Sequence, residues 1–187
     1  LKVLVASLPS AIIGLPLDDF LDAHLYNKTT VSITLILYGV LFIVVERFNA
    51  HRTPKIQKTG GITFLDAVVI GCFQVLALIP GTSRSGATIL GAILIGLSRP
   101  VAAEFSFFLA IPTMVGASLL KIFKFLTEAS FTGPEVFVLL VGMIVSFLVS
   151  VLAIRGLMAY VKKKDFSFFG YYRIILGIIV LAFVIFG

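Results

Sequence analysis

Seven apolar runs divide the chain, at about residues 1–17, 30–45, 62–79, 86–97, 101–120, 136–154 and 168–186, and one of them is too short for its surroundings. Crossing a hydrocarbon core of about 30 Å takes about 20 helical residues, within a range of roughly 17–25. The run at 86–97 covers only about half that thickness and follows a Pro-Gly break directly after the run at 62–79. This pattern predicts a helix, a loop and a half-helix that enters a bilayer and turns back, a re-entrant pair over about 62–97. Irregular backbone at membrane depth is tolerated only where it is packed in protein or lines a wet cavity. The turn at 80–85 is therefore where function is expected.

Composition supports the bilayer. Of 187 residues, 59% are hydrophobic and 13% charged, against about 45–50% apolar residues in soluble domains. A soluble monomer is excluded, because a globule of this length would leave much of that apolar surface facing water. The balance of 15 Lys+Arg against 9 Asp+Glu gives +6. In a membrane protein such an excess belongs to cytoplasmic loops, and no basic stripe with interleaved aromatics points to nucleic acid. Arg47, Arg52, Lys55 and Lys58 crowd residues 46–58, and Arg155, Lys162, Lys163 and Lys164 crowd 155–165, whereas 18–28 holds three Asp and one Lys. The positive-inside rule makes the first two loops cytoplasmic and places 18–28, 121–135 and the C-terminus outside. Arg173 and the run Lys162–Lys164 read as cytoplasmic anchors of the last span. The expected fold is an all-α polytopic membrane protein, one membrane domain over 1–187, with Gly60-Gly61 as a hinge. Cys72, the sole cysteine, reads as a small buried hydrophobe and excludes an intrachain disulfide. The start at Leu1, without Met and inside an apolar run, reads as a piece of a longer protein.

The polar cluster Pro80-Gly81-Thr82-Ser83-Arg84-Ser85-Gly86-Ala87-Thr88 lies between the two apolar arms. Pro80 and Gly81 end the incoming helix, since Pro removes a donor and Gly permits the dihedrals of a tight turn. Ser83 or Ser85 can cap the outgoing half-helix. A helix N-terminus, several hydroxyls and a guanidinium then converge, which makes an anion site, and phosphate is the anion that fits best. A cation near the bilayer midplane costs at least about 2.5–3.5 kcal/mol, so Arg84 needs a partner or a role. Its planar fork of donors suits phosphate; the structural alternative is a salt bridge to Glu104 or Asp66. Glu104 could hold a divalent cation, orient Arg84, or snorkel beside Arg99. Asp66 reads as a helix first-turn carboxylate. Gln74, about two turns before the break, faces either the cavity or the packing. His24 and His51 lie in other loops, so phosphohistidine chemistry is unsupported, and no His or Cys pair falls at zinc-ligand spacing.

The string Pro80–Thr88, with Gly71-Cys72-Phe73-Gln74 before it and Glu104-Phe105-Ser106-Phe107 after it, resembles the bacterial undecaprenyl-diphosphatase family, the bacitracin-resistance type. The resemblance implies hydrolysis of undecaprenyl diphosphate to the monophosphate carrier lipid that peptidoglycan synthesis reuses. It also implies a bacterial plasma-membrane location, two inverted repeats with a re-entrant pair in each, and a site opening to the external face. On this chain the matching catalytic positions are Ser83, Arg84, Ser85 and Thr88. Gly81, Thr82, Gly86 and Gln74 are expected to bind substrate, with Glu104 in support. The family also implies a divalent cation, Mg2+ or Ca2+. The first-repeat Glu-rich motif and Ser/His loop have no counterpart here, so the resemblance implies half of the active site on this chain, with the cation's acidic ligands expected in that N-terminal repeat and none assigned among these residues. Expected partners are the polyprenyl diphosphate, the bilayer and, as an assembly option, a second copy in a homodimer. The competing expectation is a secondary transporter or flippase for an anionic polyprenyl phosphate, in which broken helices bind the anion at the midplane; the third is a scaffold stapled by an Arg84–Glu104 pair.

Overall fold

The computed structural model describes residues 1–128 and 133–186, with the side chains of residues 18, 19, 124, 126, 128, 133 and 134 outside that description. The described residues form an all-α protein of seven α-helices: α1 Lys2–Leu25, α2 Lys28–Asn49, α3 Phe64–Val75, α4 Arg84–Leu94, α5 Arg99–Glu128, α6 Gly133–Val161 and α7 Ser167–Phe186. Four stretches are long and apolar enough to cross a membrane: Lys28–Asn49, Arg99–Phe123, Glu135–Val161 and Ser167–Phe186. The chain is thus a multi-pass membrane protein.

Several helices run past their apolar cores. α1 carries Pro9 and Pro16 inside it and continues to Leu25, so most of the loop expected at 18–28 is helix. Asp22 adds a charge to the helix surface without supplying a stop signal. The turn that remains is short, and Asn27 opens α2 by accepting the Thr30 amide on Oδ1 at 2.8 Å. The loop expected at 121–135 is helical as far as Glu128, and its residues 129–132 lie outside the described residues. Gly60-Gly61 forms a single 3-10 turn, Thr59–Gly61.

The antiparallel pair α2 and α7 is seamed by small residues. A Cβ at Gly39 would lie 2.8 Å from the Gly170 carbonyl oxygen, and one at Gly170 would lie 2.7 Å from the carbonyl oxygen of Gly39. Side chains there would force the helices apart, which is why small residues line close helix crossings in lipid. Glu46, 2% exposed, joins three elements at one end of this pair. Its carboxylate accepts from Arg99 Nε at 2.8 Å and from the Phe166 backbone amide at 3.2 Å. Deleting one member of a buried pair strands the other. Arg99 keeps partial access to solvent, so we expect Glu46→Ala to cost about 2–3 kcal/mol, read as a Tm lowered by several degrees in detergent.

The hairpin α3–α4 packs between α1, α5 and α2. Thr63 and Asp66 form a capping box at its start: the Thr63 hydroxyl accepts the Asp66 amide at 3.1 Å, and Asp66 Oδ2 accepts the Thr63 amide at 2.8 Å. Asp66 thus has the first-turn role expected of it. α3 has 12 residues and α4 has 11, each about half the thickness of a bilayer core. The two ends of the hairpin meet: Ile56 and Leu97 form a parallel bridge, with the amides of Lys55 and Ser98 donating to Gly96 and Ile56 carbonyls at 2.8 and 2.9 Å. Asn49, Arg52, Lys55, Arg99 and Lys162 line one cleft of about 300 Å3 at this end, so the two basic loops share a side, as their charge predicted. α3 buries Ala67, Ile70, Gly71 and Gln74, which leaves Cys72 exposed on its outer face rather than in the core. From Glu135 to Ser150 every residue of α6 is exposed, an apolar surface fitted to lipid.

Candidate active site

After Val75 the helix tightens into a 3-10 turn, Leu76–Leu78, and the chain then reverses through Ile79–Ser83. Gly81 sits at φ +87°, in the left-handed region that glycine enters freely. It also lies against α2, where a Cβ would meet the Thr34 hydroxyl and come within 2.7 Å of the Val31 carbonyl. Thr34 donates to the Pro80 carbonyl at 2.6 Å and so holds the turn against the second turn of α2. Thr82 is fully buried, and its carbonyl accepts from Arg173 Nη1 of α7 at 3.1 Å.

Ser83 is the residue that starts α4. It has φ +63°, the sole non-glycine in the left-handed region among the described residues. Strain of this kind persists where surrounding contacts over-determine it, and it collects at functional sites. Its Oγ accepts the Gly86 amide at 3.3 Å, an N-cap, and lies 3.3 Å from Ser85 Oγ. The first intrahelical bond is made by Ala87 to the Ser83 carbonyl at 3.0 Å, so the amides of Arg84 and Ser85 precede the ladder. One turn on, Thr88 Oγ1 is buried, 3.0 Å from the Arg84 carbonyl and 2.6 Å from Ser106 Oγ of α5.

Arg84 projects from this start with Nε and Nη1 buried and without a hydrogen-bond partner. No ion pair joins it to Glu104 or Asp66; the salt bridge among the described residues is Arg99–Glu46. A buried donor left unmet costs about 1–3 kcal/mol, more on a charged group. The chemistry of the arrangement is complementary to an anion. It offers two guanidine donors, two hydroxyls, the leading amides of a helix and the positive end of its dipole.

Of the residues singled out in the sequence, Gly81, Thr82, Ser83, Arg84, Ser85 and Gly86 share the turn, and Thr88 supports it from beneath. Gln74 lies elsewhere: its amide donates to Ser10 Oγ at 2.6 Å and Thr113 Oγ1 at 3.4 Å, between α1 and α5. Glu104 accepts from Thr59 Oγ1 at 3.0 Å, at the end where the hairpin starts. Arg173 departs from its reading as an interfacial anchor, since it points inward at Thr82.

A divalent cation wants hard, anionic oxygen ligands. The turn presents guanidinium donors and neutral hydroxyls, and no group of three or more His, Cys, Asp or Glu fit for a metal occurs among the described residues. The residues at this turn do not by themselves fit a divalent cation, in keeping with ligands expected outside this chain, and no step below is routed through one.

A family model described as "Bacitracin resistance protein BacA" matches residues 1–179. The chain belongs to the BacA family. Similar proteins include an undecaprenyl-diphosphatase of Limosilactobacillus fermentum, 60% identical over 183 residues, which are 97% of this chain and 66% of that protein. The undecaprenyl-diphosphatase of Enterococcus faecalis is 59% identical over 187 residues, 100% of this chain and 68% of the relative. That of Acetivibrio thermocellus is 58% identical over 183 residues, covering 98% and 66%. The chain thus spans about two thirds of the length of these BacA-family relatives.

Proposed function

We propose that the chain carries the phosphate-gripping half of an undecaprenyl-diphosphatase, which removes the terminal phosphate of a polyprenyl diphosphate and leaves the lipid monophosphate. The observation that carries this reading is the pair of buried, unmet Arg84 donors at the Ser83-capped start of α4. The names of the relatives supply the substrate class. In this scheme the hairpin 62–97 is re-entrant within a single membrane domain. The turn lies within a bacterial plasma membrane and opens to its external face.

Phosphoryl transfer depends chiefly on positioning and charge stabilisation. Arg84 and the Arg84 and Ser85 amides take the non-bridging oxygens, with Ser83 and Ser85 hydroxyls beside them. A water, or a serine hydroxyl whose phosphoester a water then hydrolyses, forms the new P–O bond in line and gives up its proton to solvent, while the bond to the bridging oxygen breaks and the lipid monophosphate leaves with that oxygen, so that inorganic phosphate is the second product. Thr88, tied to Ser106, fixes the first turn of α4. Whatever cation the reaction uses is held by ligands other than those at this turn.

The test is phosphate release from farnesyl diphosphate in detergent. It compares the 187-residue chain with the same chain completed at its N-terminus by the first third of the Enterococcus faecalis relative. We expect release from the completed chain in Mg2+ or Ca2+, loss of it with chelator, and little from the short chain. Silence from the completed chain in either metal would overturn the phosphatase and leave the transporter.

A further inference from the structure

Away from the turn, the cleft of about 300 Å3 at the base of the hairpin has a definite depth in the membrane. Three of the membrane-spanning stretches end on it: Asn49 closes α2, Arg99 opens α5 and Val161 closes α6. The fourth, Ser167–Phe186, begins a short turn after Val161. The cleft therefore lies at the level where hydrocarbon gives way to headgroups. Its walls match that level. Leu94, Ile95 and Leu97 line one part of it, Arg52, Lys55, Arg99 and Lys162 line another, and no Asp or Glu lines it.

These cations outnumber the anions near them. Glu46 takes Nε and Nη2 of Arg99 and leaves Nη1 uncommitted. Arg52, Lys55 and Lys162 have no carboxylate within salt-bridge distance among the described residues. Two of the four are held in place by their stems: the Arg52 guanidinium rests 4.0 Å from the centre of the Phe48 ring, and Cγ and Cδ of Lys55 lie 3.3 Å from where a Cβ on Gly96 would be. Helix ends are the competing explanation, because the C-termini of α2, α4 and α6 meet here and cations complement their negative ends. Each end is worth about half a charge and the N-terminus of α5 returns one half, so with Glu46 counted about two positive charges remain. Asp165, the other carboxylate near Arg99, is outnumbered within its own turn by Lys163 and Lys164. Helix ends thus account for part of this charge and leave the rest beside an apolar wall.

We propose that the cleft is a binding site for one anionic phospholipid of the adjoining leaflet, with its phosphodiester against Arg52, Lys55, Lys162 and Arg99 Nη1 and its glycerol and first methylenes against Leu94 and Ile95. Basic pockets between membrane helices take anionic headgroups in this way. The apolar wall and the depth of the cleft favour a lipid over a soluble phosphate ester. The site is separate from the turn at Ser83 and does not depend on what that turn hydrolyses.

The test uses the chain completed at its N-terminus, in detergent containing equimolar dioleoyl phosphatidylglycerol and dioleoyl phosphatidylcholine. Native mass spectrometry is expected to show phosphatidylglycerol retained in preference to phosphatidylcholine, and Tm should rise further with the first lipid alone than with the second alone. At about fivefold per cation, Arg52→Gln, Lys55→Gln and Lys162→Gln together should lower the retained ratio of the two lipids by about 100-fold. The charge-matched control is Lys58→Gln, Lys163→Gln and Lys164→Gln, three cations of the same loops that do not line the cleft, and it should lower the ratio by less than about threefold.

No preference in the unmutated chain, or equal losses in the two triple variants, would overturn the proposal and leave only a general attraction of basic loops for an anionic surface. Displacement of the lipid by sn-glycerol 1-phosphate at matched concentration would also overturn it, by making the cleft a site for soluble phosphate esters. If the triple variant of the cleft does not fold, Lys55→Gln alone, at unchanged lipid-free Tm, should lower the ratio about fivefold, and an unchanged ratio there overturns the proposal. Phosphate release is not read in any arm, so failure of the phosphatase reading leaves these outcomes as they are.

Discussion

Arg84→Ala in the N-terminally completed chain is expected to lower phosphate release from farnesyl diphosphate by at least about 100-fold to 1,000-fold, with Tm unchanged or raised. The size follows from what the side chain is placed to do: removing one preorganised donor at a developing charge costs about that much, and a guanidinium on a transferring phosphoryl group can be worth more. The stability half is the sharper test. Nε and Nη1 are buried without partners, so the folded chain loses no hydrogen bonds with them. Burying unmet charged donors is unfavourable, and alanine removes that penalty. A scaffold role predicts the opposite, near-normal turnover with a lowered Tm. Steady-state phosphate release and a detergent melting curve on the same preparation separate the two.

Gly81→Ala is expected to damage the turn as severely from the backbone side. At φ +87° a side chain costs about 1–2 kcal/mol by itself. The added carbon also collides with Thr34 and with the Val31 carbonyl, at about 1–3 kcal/mol for overpacking that cannot relax. Thr34 is the group that pins Pro80, so relief of the clash must break the contact that sets the turn against α2. We expect Tm to fall by roughly 5 °C or more and turnover in the completed chain to fall at least about 100-fold. Gly86→Ala is the comparison: its φ is ordinary, and its new carbon would meet the Phe42 ring at 3.3 Å and Arg173 Nη2 at 3.4 Å, contacts that side-chain movement can relieve. A Gly81→Ala enzyme no worse than Gly86→Ala would show that the turn can rebuild elsewhere.

The turn itself was legible from residue types, because Pro80, Gly81 and a capping serine have local consequences that tertiary context did not override. Ser83 took the cap. Partners across helices were less legible. Gln74 and Glu104 sit where the spacing put them along their helices, but spacing does not say which neighbour a face meets, and they meet Ser10 and Thr59. Cys72 was open to a better reading: Ala67, Ile70, Gly71 and Gln74 mark one face of a 3.6-residue period and leave position 72 outside it. The signal for Arg173 was also present, a lone cation inside an apolar helix, which is the reasoning that singled out Arg84. Its nearness to the basic run Lys162–Lys164 made it look interfacial. Glu46 was hidden for a similar reason, counted with the charged loop after it although α2 runs on to Asn49.

The bridge between Ile56 and Leu97 has a consequence for how the molecule opens. It ties the chain just before α3 to the chain just after α4, with three backbone hydrogen bonds between the segments 55–56 and 96–98. A hairpin fastened at its base cannot fray from its free ends, because it has none. Its lowest-cost opening is release of the whole unit from α1, α2 and α5, which exposes buried Ala67, Ala87, Ala92 and Phe105 together. Local and sub-global openings normally span a ladder of free energies. Here the amides of Ile56 and Ser98, although beside a surface cleft, should exchange with solvent deuterium as slowly as those of the buried half-helices.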